Sequence, residues 1–112
     1  MSRRPRELTA AAAAPVFAAL GDATRLALLV RLCDEQPQSI AQLTHGTGLT
    51  RQGVSKHLAI LEQARVITST RVGRESRFKV RQITLTEASQ YLERASKQWN
   101  DAVDRLKLFV ER

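Results

Sequence analysis

Between Ser39 and Leu61 the chain reads Ser-Ile-Ala-Gln-Leu-Thr-His-Gly-Thr-Gly-Leu-Thr-Arg-Gln-Gly-Val-Ser-Lys-His-Leu-Ala-Ile-Leu. Ser39 is a good helix cap, and a short helix over Ile40 to Thr44 follows it, with Ile40, Ala41 and Leu43 as its apolar positions. His45-Gly46-Thr47-Gly48 is too rich in glycine to stay helical. Thr50 then caps a longer helix to about Ala64, in which Val54, Leu58 and Leu61 recur at i, i+4, i+7. A short helix, a glycine turn and a longer helix with one apolar stripe form a helix-turn-helix. The remaining segments must supply the surface that buries that stripe.

They do so with few aromatics, 4% of residues, within an ordinary apolar share of 43%. At 112 residues the chain has material for one core, not two. A helix is expected from about Thr9 to Leu20, with Pro15 either kinking it or standing in the first turn of a shorter one. Gly21 ends it, and Asp22 caps a second helix to about Cys33. Leu26, Leu29, Val30 and Cys33 fall at i, i+3, i+4, i+7 and are expected as its buried face. Asp34 to Pro37 reads as a turn. After the longer helix the apolar period shortens to near two: Val66 to Val72 and Ser76 to Arg81 read as strands around a Gly73-Arg74 tip. A last helix runs from Leu85 to Val110. The fold class expected is mainly α with a β-hairpin wing, a winged helix-turn-helix. Residues 1–8 form a basic flexible arm, 9–82 the winged module, and 83–112 a terminal helix of the same single domain.

The net charge is +7, and its location is more informative than its size. Residues 45–82 hold Arg51, Lys56, Arg65, Arg71, Arg74, Arg77, Lys79 and Arg81 against only Glu62 and Glu75, whereas residues 83–112 are neutral. A third of the chain therefore carries nearly all the excess, the footprint of a localised polyanion site. With Val54, Leu58 and Leu61 turned inward, Arg51, Gln52, Ser55 and Lys56 are expected outward near the start of the longer helix. Such a helix start fits the major groove, where arginine reads guanine and glutamine reads adenine, while Thr50 and Ser55 suit phosphates or base edges. Gly53 is expected to permit close approach to a backbone. The cationic hairpin (Arg71, Arg74, Arg77 and Lys79, with Arg81 at its end) suits phosphates or a minor groove. Arg71, Arg77, Lys79 and Arg81 share odd numbering, and the turn between them leaves open whether they share a face.

In the last helix, Leu85, Ala88, Leu92, Ala95, Trp99, Ala102, Leu106 and Phe109 alternate spacings of three and four. This is a heptad seam, longer than the rest of so small a domain can cover, and a partner helix from a second copy is expected on it.

Three stretches together resemble the ArsR/SmtB family of bacterial winged-helix repressors: Phe17 to Leu29 (Phe-Ala-Ala-Leu-Gly-Asp-Ala-Thr-Arg-Leu-Ala-Leu-Leu), Leu49 to Glu62, and Val72-Gly-Arg-Glu. The resemblance runs from about Val16 to Val80. It implies a homodimer built on the first and last helices, with Val16 and the Leu85–Phe109 seam at the interface. It also implies repression through an imperfect inverted repeat. It implicates Thr50, Arg51, Gln52, Ser55 and His57, with the wing around Arg74, in binding the operator.

The chain departs from the family's metal sensors. Ser39-Ile40-Ala41 stands where they carry a Cys-x-Cys pair, and the last helix has no histidine. Cys33, His45 and His57 are too few and too scattered for a Zn²⁺ or As(III) site, so no metal and no cofactor is expected. The single Cys33 is expected as a small core residue; a redox trigger through an intermolecular disulfide is the alternative. No phosphate loop, nucleophile elbow or acid pair marks an enzyme. A protein-interaction module and an RNA binder are the competing readings. The basic face opposes the first, and the lack of paired stacking aromatics on the sheet opposes the second. An arginine pair ahead of the alanine-rich stretch suggests an export signal, but Pro5-Arg6-Glu7 breaks it, and a cytoplasmic protein is expected. No run is long enough for a membrane helix. The sequence points to no particular small-molecule effector.

Overall fold

A computed structural model describes residues 4–34 and 36–111 of the chain. In chain order the elements are α1 (Ala10–Leu20), α2 (Ala23–Leu32), β1 (Gln38–Ser39), α3 (Ile40–Thr44), α4 (Arg51–Gln63), β2 (Ile67–Val72), β3 (Glu75–Val80) and α5 (Gln82–Val110). The molecule is a winged helix-turn-helix. The side chains of Thr9, Asp22, Ser39 and Thr50 cap α1 to α4, accepting from the amides of Ala12, Arg25, Gln42 and Gly53. Pro15 lies inside α1, past its first turn.

Leu28, Leu32, Leu43, Val54, Leu58, Leu61, Val66 and Ile67 form the centre of the core, with Val16 and Ala19 of α1, Phe78 of β3 and Ala88 of α5 around them. Two expectations change here. In α2 the buried residues are Leu28, Leu29 and Leu32; Leu26 and Val30 face out, Val30 at 70% exposure, and Cys33 caps the helix at the surface. Five aliphatic residues between positions 26 and 32 allow two overlapping helical stripes, and α1 and α4 cover the one that contains Leu28. Val16, expected at a dimer interface, is buried in the core of its own chain.

The sheet has three strands in the order β1-β3-β2, all antiparallel. Its edge strand β1, with Gln38 opposite Phe78 and Ser39 opposite Arg77, was not foreseen. Ser39 thereby joins the sheet and caps α3, and Gln42 returns the cap by accepting from the Ser39 amide at 2.8 Å. β3 ends at Val80, so Arg81 leaves the hairpin and precedes α5.

The N-terminal segment also differs from a free arm. Leu8 is buried, Arg6 pairs with Glu87 at 3.3 Å, and Arg94 reaches both Glu7 at 3.6 Å and the Leu8 carbonyl at 3.4 Å. Residues 4–8 thus lie along α5; the Met1–Arg3 part of the expected arm falls outside the described residues. α5 packs on α1 through Phe17 and Tyr91, whose ring centres are 6.0 Å apart. At 29 residues it is about 43 Å long and outruns that support. The molecule is accordingly elongated, 67 × 37 × 23 Å. Among the described residues no single helix is long and apolar enough to cross a membrane.

Candidate nucleic-acid interface

The helix-turn-helix is fixed by two arginines of α2 that cap the ends of other helices. Arg25 donates from Nε to the Ala19 carbonyl at 2.5 Å, at the end of α1. Arg31 donates to the carbonyls of Leu43, Gln42 and His45 at 2.8 to 2.9 Å, closing the end of α3. The turn that follows runs through Gly46 (φ +78) and Gly48 (φ +72), a left-handed backbone that glycine adopts without strain. Thr47 stitches it, donating to the Thr44 carbonyl at 2.7 Å and accepting from the Leu49 amide at 3.1 Å.

The turn delivers the start of α4 to the surface. Gln52 and Lys56 lie opposite the Val54, Leu58 and Leu61 stripe, with Ser55 on one flank, and all three are exposed. Arg51 is exposed for another reason. It belongs to the inward row with Val54 and Leu58, and only its first position in the helix carries it past the core. Thr50 uses its hydroxyl to accept from the Gly53 amide at 3.0 Å, which leaves the hydroxyl proton for an outside acceptor. Gly53 has a local reason as well, since a Cβ there would sit 3.3 Å from the Thr50 hydroxyl.

His57 departs from the outward set. It is half-buried and turned toward the start of α2, with Nδ1 3.4 Å from the Arg25 guanidinium and 3.9 Å from the Asp22 carboxylate. The Asp22 carboxyl is held below its ordinary value, chiefly by the hydrogen bond from the Arg25 amide, with the charges of Arg25 and His57 helping and desolvation opposing.

In the wing, Gly73 turns the tip at φ +65. Ile67 faces Val80, Ser69 faces Phe78 and Arg71 faces Ser76, so odd positions in β2 share a side with even positions in β3. Arg77 and Lys79 therefore stand on the sheet face away from Phe78, with Thr68 and Thr70, while Arg71 lies on the other face and Arg74 at the tip. Arg77 donates to Glu75 at 3.1 Å, which offsets part of its charge. Arg71, Arg74 and Lys79 are exposed. Sequence reasoning missed Arg25 and Arg31, whose partners lie 6 to 14 residues away.

The seam on α5 divides in two. Leu85 and Ala88 pack into the chain's own core, and Ala95 is half-buried. Leu92, Trp99, Ala102, Leu106 and Phe109 are exposed, Trp99 at 70%. Beyond Ala95 every described residue except Val103 is exposed. Among the described residues no three His, Cys, Asp or Glu side chains lie close enough to hold a metal ion.

Residues 22–69 match the family described as bacterial regulatory protein, arsR family. Over 65 residues the chain is 37% identical to an uncharacterized HTH-type transcriptional regulator, YuzN, of Bacillus subtilis, covering 53% of this chain and 71% of that one. Among solved structures it is similar to an ArsR-like transcriptional regulator from Rhodococcus sp. RHA1, with a TM-score of 0.76 and 33% identity over 88% of this chain and 92% of that one. It shares its fold with the homodimeric winged helix-turn-helix DNA-binding domain of a possible ArsR-family regulator from Mycobacterium bovis. There the TM-score is 0.59 and the identity 18%, over 87% and 83% of the two chains.

Proposed function

From a chain that belongs to the arsR family of bacterial transcriptional regulators, we infer a homodimeric repressor that binds an inverted-repeat operator in the cytoplasm. The observation that carries this is the exposed start of α4, where Gln52 and Lys56 point away from the core, beside a wing with Arg74 at its tip. In this reading Arg51 and Gln52 reach base edges. Thr50, Ser55, Lys56, Arg71, Arg74, Arg77 and Lys79 hold phosphates and set the register. His57 serves as a positioning residue, because its ring is engaged with Asp22 and Arg25.

Residues 9–82 then act as the DNA-binding module and 83–112 as the dimerising helix. Leu92, Trp99, Ala102, Leu106 and Phe109 present the partner-facing seam, and an apolar stripe of this length gains by being covered. The Mycobacterium bovis domain that shares this fold is homodimeric, which supports a dimer here. Two recognition helices related by a twofold axis meet half-sites about one duplex turn apart, roughly 10 base pairs centre to centre. Selection of bound duplexes from a random pool tests this. An inverted repeat with that spacing is the expected product; enrichment of single half-sites, or of no sequence, would overturn it.

A further inference from the structure

We propose that a cavity between the N-terminal segment, α1, the end of α4 and the start of α5 binds a small organic carboxylate with an apolar body. The cavity measures about 280 Å³. That is just below the roughly 300–1,000 Å³ of pockets for drug-sized ligands, so the occupant is of benzoate size. Leu8, Val16 and Ala64 supply apolar wall, and three arginines, Arg6, Arg65 and Arg81, line it with one acid, Glu87.

The polar groups of this cavity are unevenly committed. Glu87 is 4% exposed, and the group that pairs with it, the Nε of Arg6 at 3.3 Å, belongs to a side chain that is 69% exposed. Arg81 donates to the Thr84 hydroxyl at 2.8 Å, and that hydroxyl donates to the Arg65 carbonyl at 2.6 Å, tying the end of α4 to the first turn of α5. Arg65 holds its backbone at φ +62, with its amide donating to the Glu62 carbonyl at 3.0 Å. No side chain caps α5, so the positive end of a 29-residue helix adds to the three cations.

This balance decides the class of ligand. A carboxylate is drawn by the excess of arginine charge and competes with Glu87 for Arg6, while its apolar body rests against Leu8 and Val16. A neutral isostere forfeits those charge-assisted bonds, and an amine meets three like charges against one opposite. Given the operator-binding reading above, the site also has a means of regulation, because its walls join the C-terminal end of the recognition helix to the helix that carries the dimer seam. A ligand that fits one relative placement of α4 and α5 better than another shifts the population between them.

Titration calorimetry on the full chain without DNA, using benzoate, benzamide and benzylamine as probes, tests the site independently of operator binding. One benzoate per chain is expected, with benzamide at least tenfold weaker and benzylamine silent. Arg65→Asn removes the charge with a residue that tolerates the left-handed backbone, and is expected to weaken benzoate by about tenfold. Glu87→Gln removes the competing carboxylate and is expected to tighten it severalfold. Equal affinity for benzoate and benzamide, no benzoate binding at millimolar concentration, or a Glu87→Gln variant with unchanged affinity would overturn the site. Operator affinity at saturating benzoate is the second readout: a changed affinity supports the regulatory coupling, and an unchanged one overturns it. Failure of the operator-binding reading shows separately, as loss of DNA binding by the unliganded chain.

Discussion

Arg31 of α2 donates to the Leu43 carbonyl at 2.8 Å, and the same guanidinium also takes the carbonyls of Gln42 and His45. One side chain therefore satisfies the orphan end of α3 and fixes where the glycine turn begins. Arg31→Met should cost about 1–2 kcal/mol of stability in urea unfolding, because hydrogen bonds to a charged group are lost while the exposed Gln42 and His45 carbonyls turn to water. Arg31→Lys should recover only part of it, since an ammonium cannot span three carbonyls as a planar fork does. Full stability in Arg31→Met would show that the cap is incidental.

The exposed seam on α5 predicts a dimer. Light scattering at micromolar concentration should give twice the 12.5 kDa chain mass. Trp99→Asp should return it to the single-chain value by placing a charge where the partner helix packs. A wild-type chain that scatters as a monomer would remove the seam's assigned role.

The sequence reading succeeded where one pattern dominated and failed where two competed. In α4 the residues between Val54, Leu58 and Leu61 are polar or small apart from Ile60, which starts no second stripe and stays exposed, and the one stripe is buried. In α2, Leu26 and Val30 formed as good a stripe as Leu28 and Leu32, and only the packing of α1 and α4 against one of them decided the matter. Wing parity was unreadable for a different reason. The faces of Arg71 and Arg77 depend on the register through Gly73, and the turn carries odd positions to the side of even ones. β1 was hidden because two residues after a proline carry no period. The Ser39-x-x-Gln42 capping box, by contrast, was present in the sequence as a signature.

Cys33 bears on stability through its exposure. As a surface cap residue, it should tolerate Cys33→Ser with a change within about 0.5 kcal/mol and with operator binding intact. A larger loss in thermal unfolding would return it to the core. An oxidant response that disappears in this variant would give it a redox role.

Asp22 gives the pH dependence a definite sign. Its carboxyl is depressed in the folded chain, chiefly by the Arg25 amide, relative to about 3.9 when unfolded. Its contribution is therefore fully present above that value and is lost as pH falls through the lower folded one. The denaturation midpoints of wild type and Asp22→Asn should converge as pH drops below about 4. A difference between them that stays constant from neutrality to pH 2 would contradict the assignment.

The most direct test of the division between reading and anchoring compares Gln52→Ala with Arg74→Ala on operator and scrambled duplexes across a salt series. Gln52 is uncharged and stands outermost on α4, whereas Arg74 is a cation at the wing tip. Gln52→Ala should weaken operator binding by roughly 1–3 kcal/mol, spare scrambled DNA and leave the salt dependence unchanged. Arg74→Ala should weaken both duplexes alike and flatten the slope of log K against log salt by about 0.9 per chain, nearly two for a dimer. If both variants weaken the two duplexes equally and leave the same slope, α4 does not read sequence and the account fails.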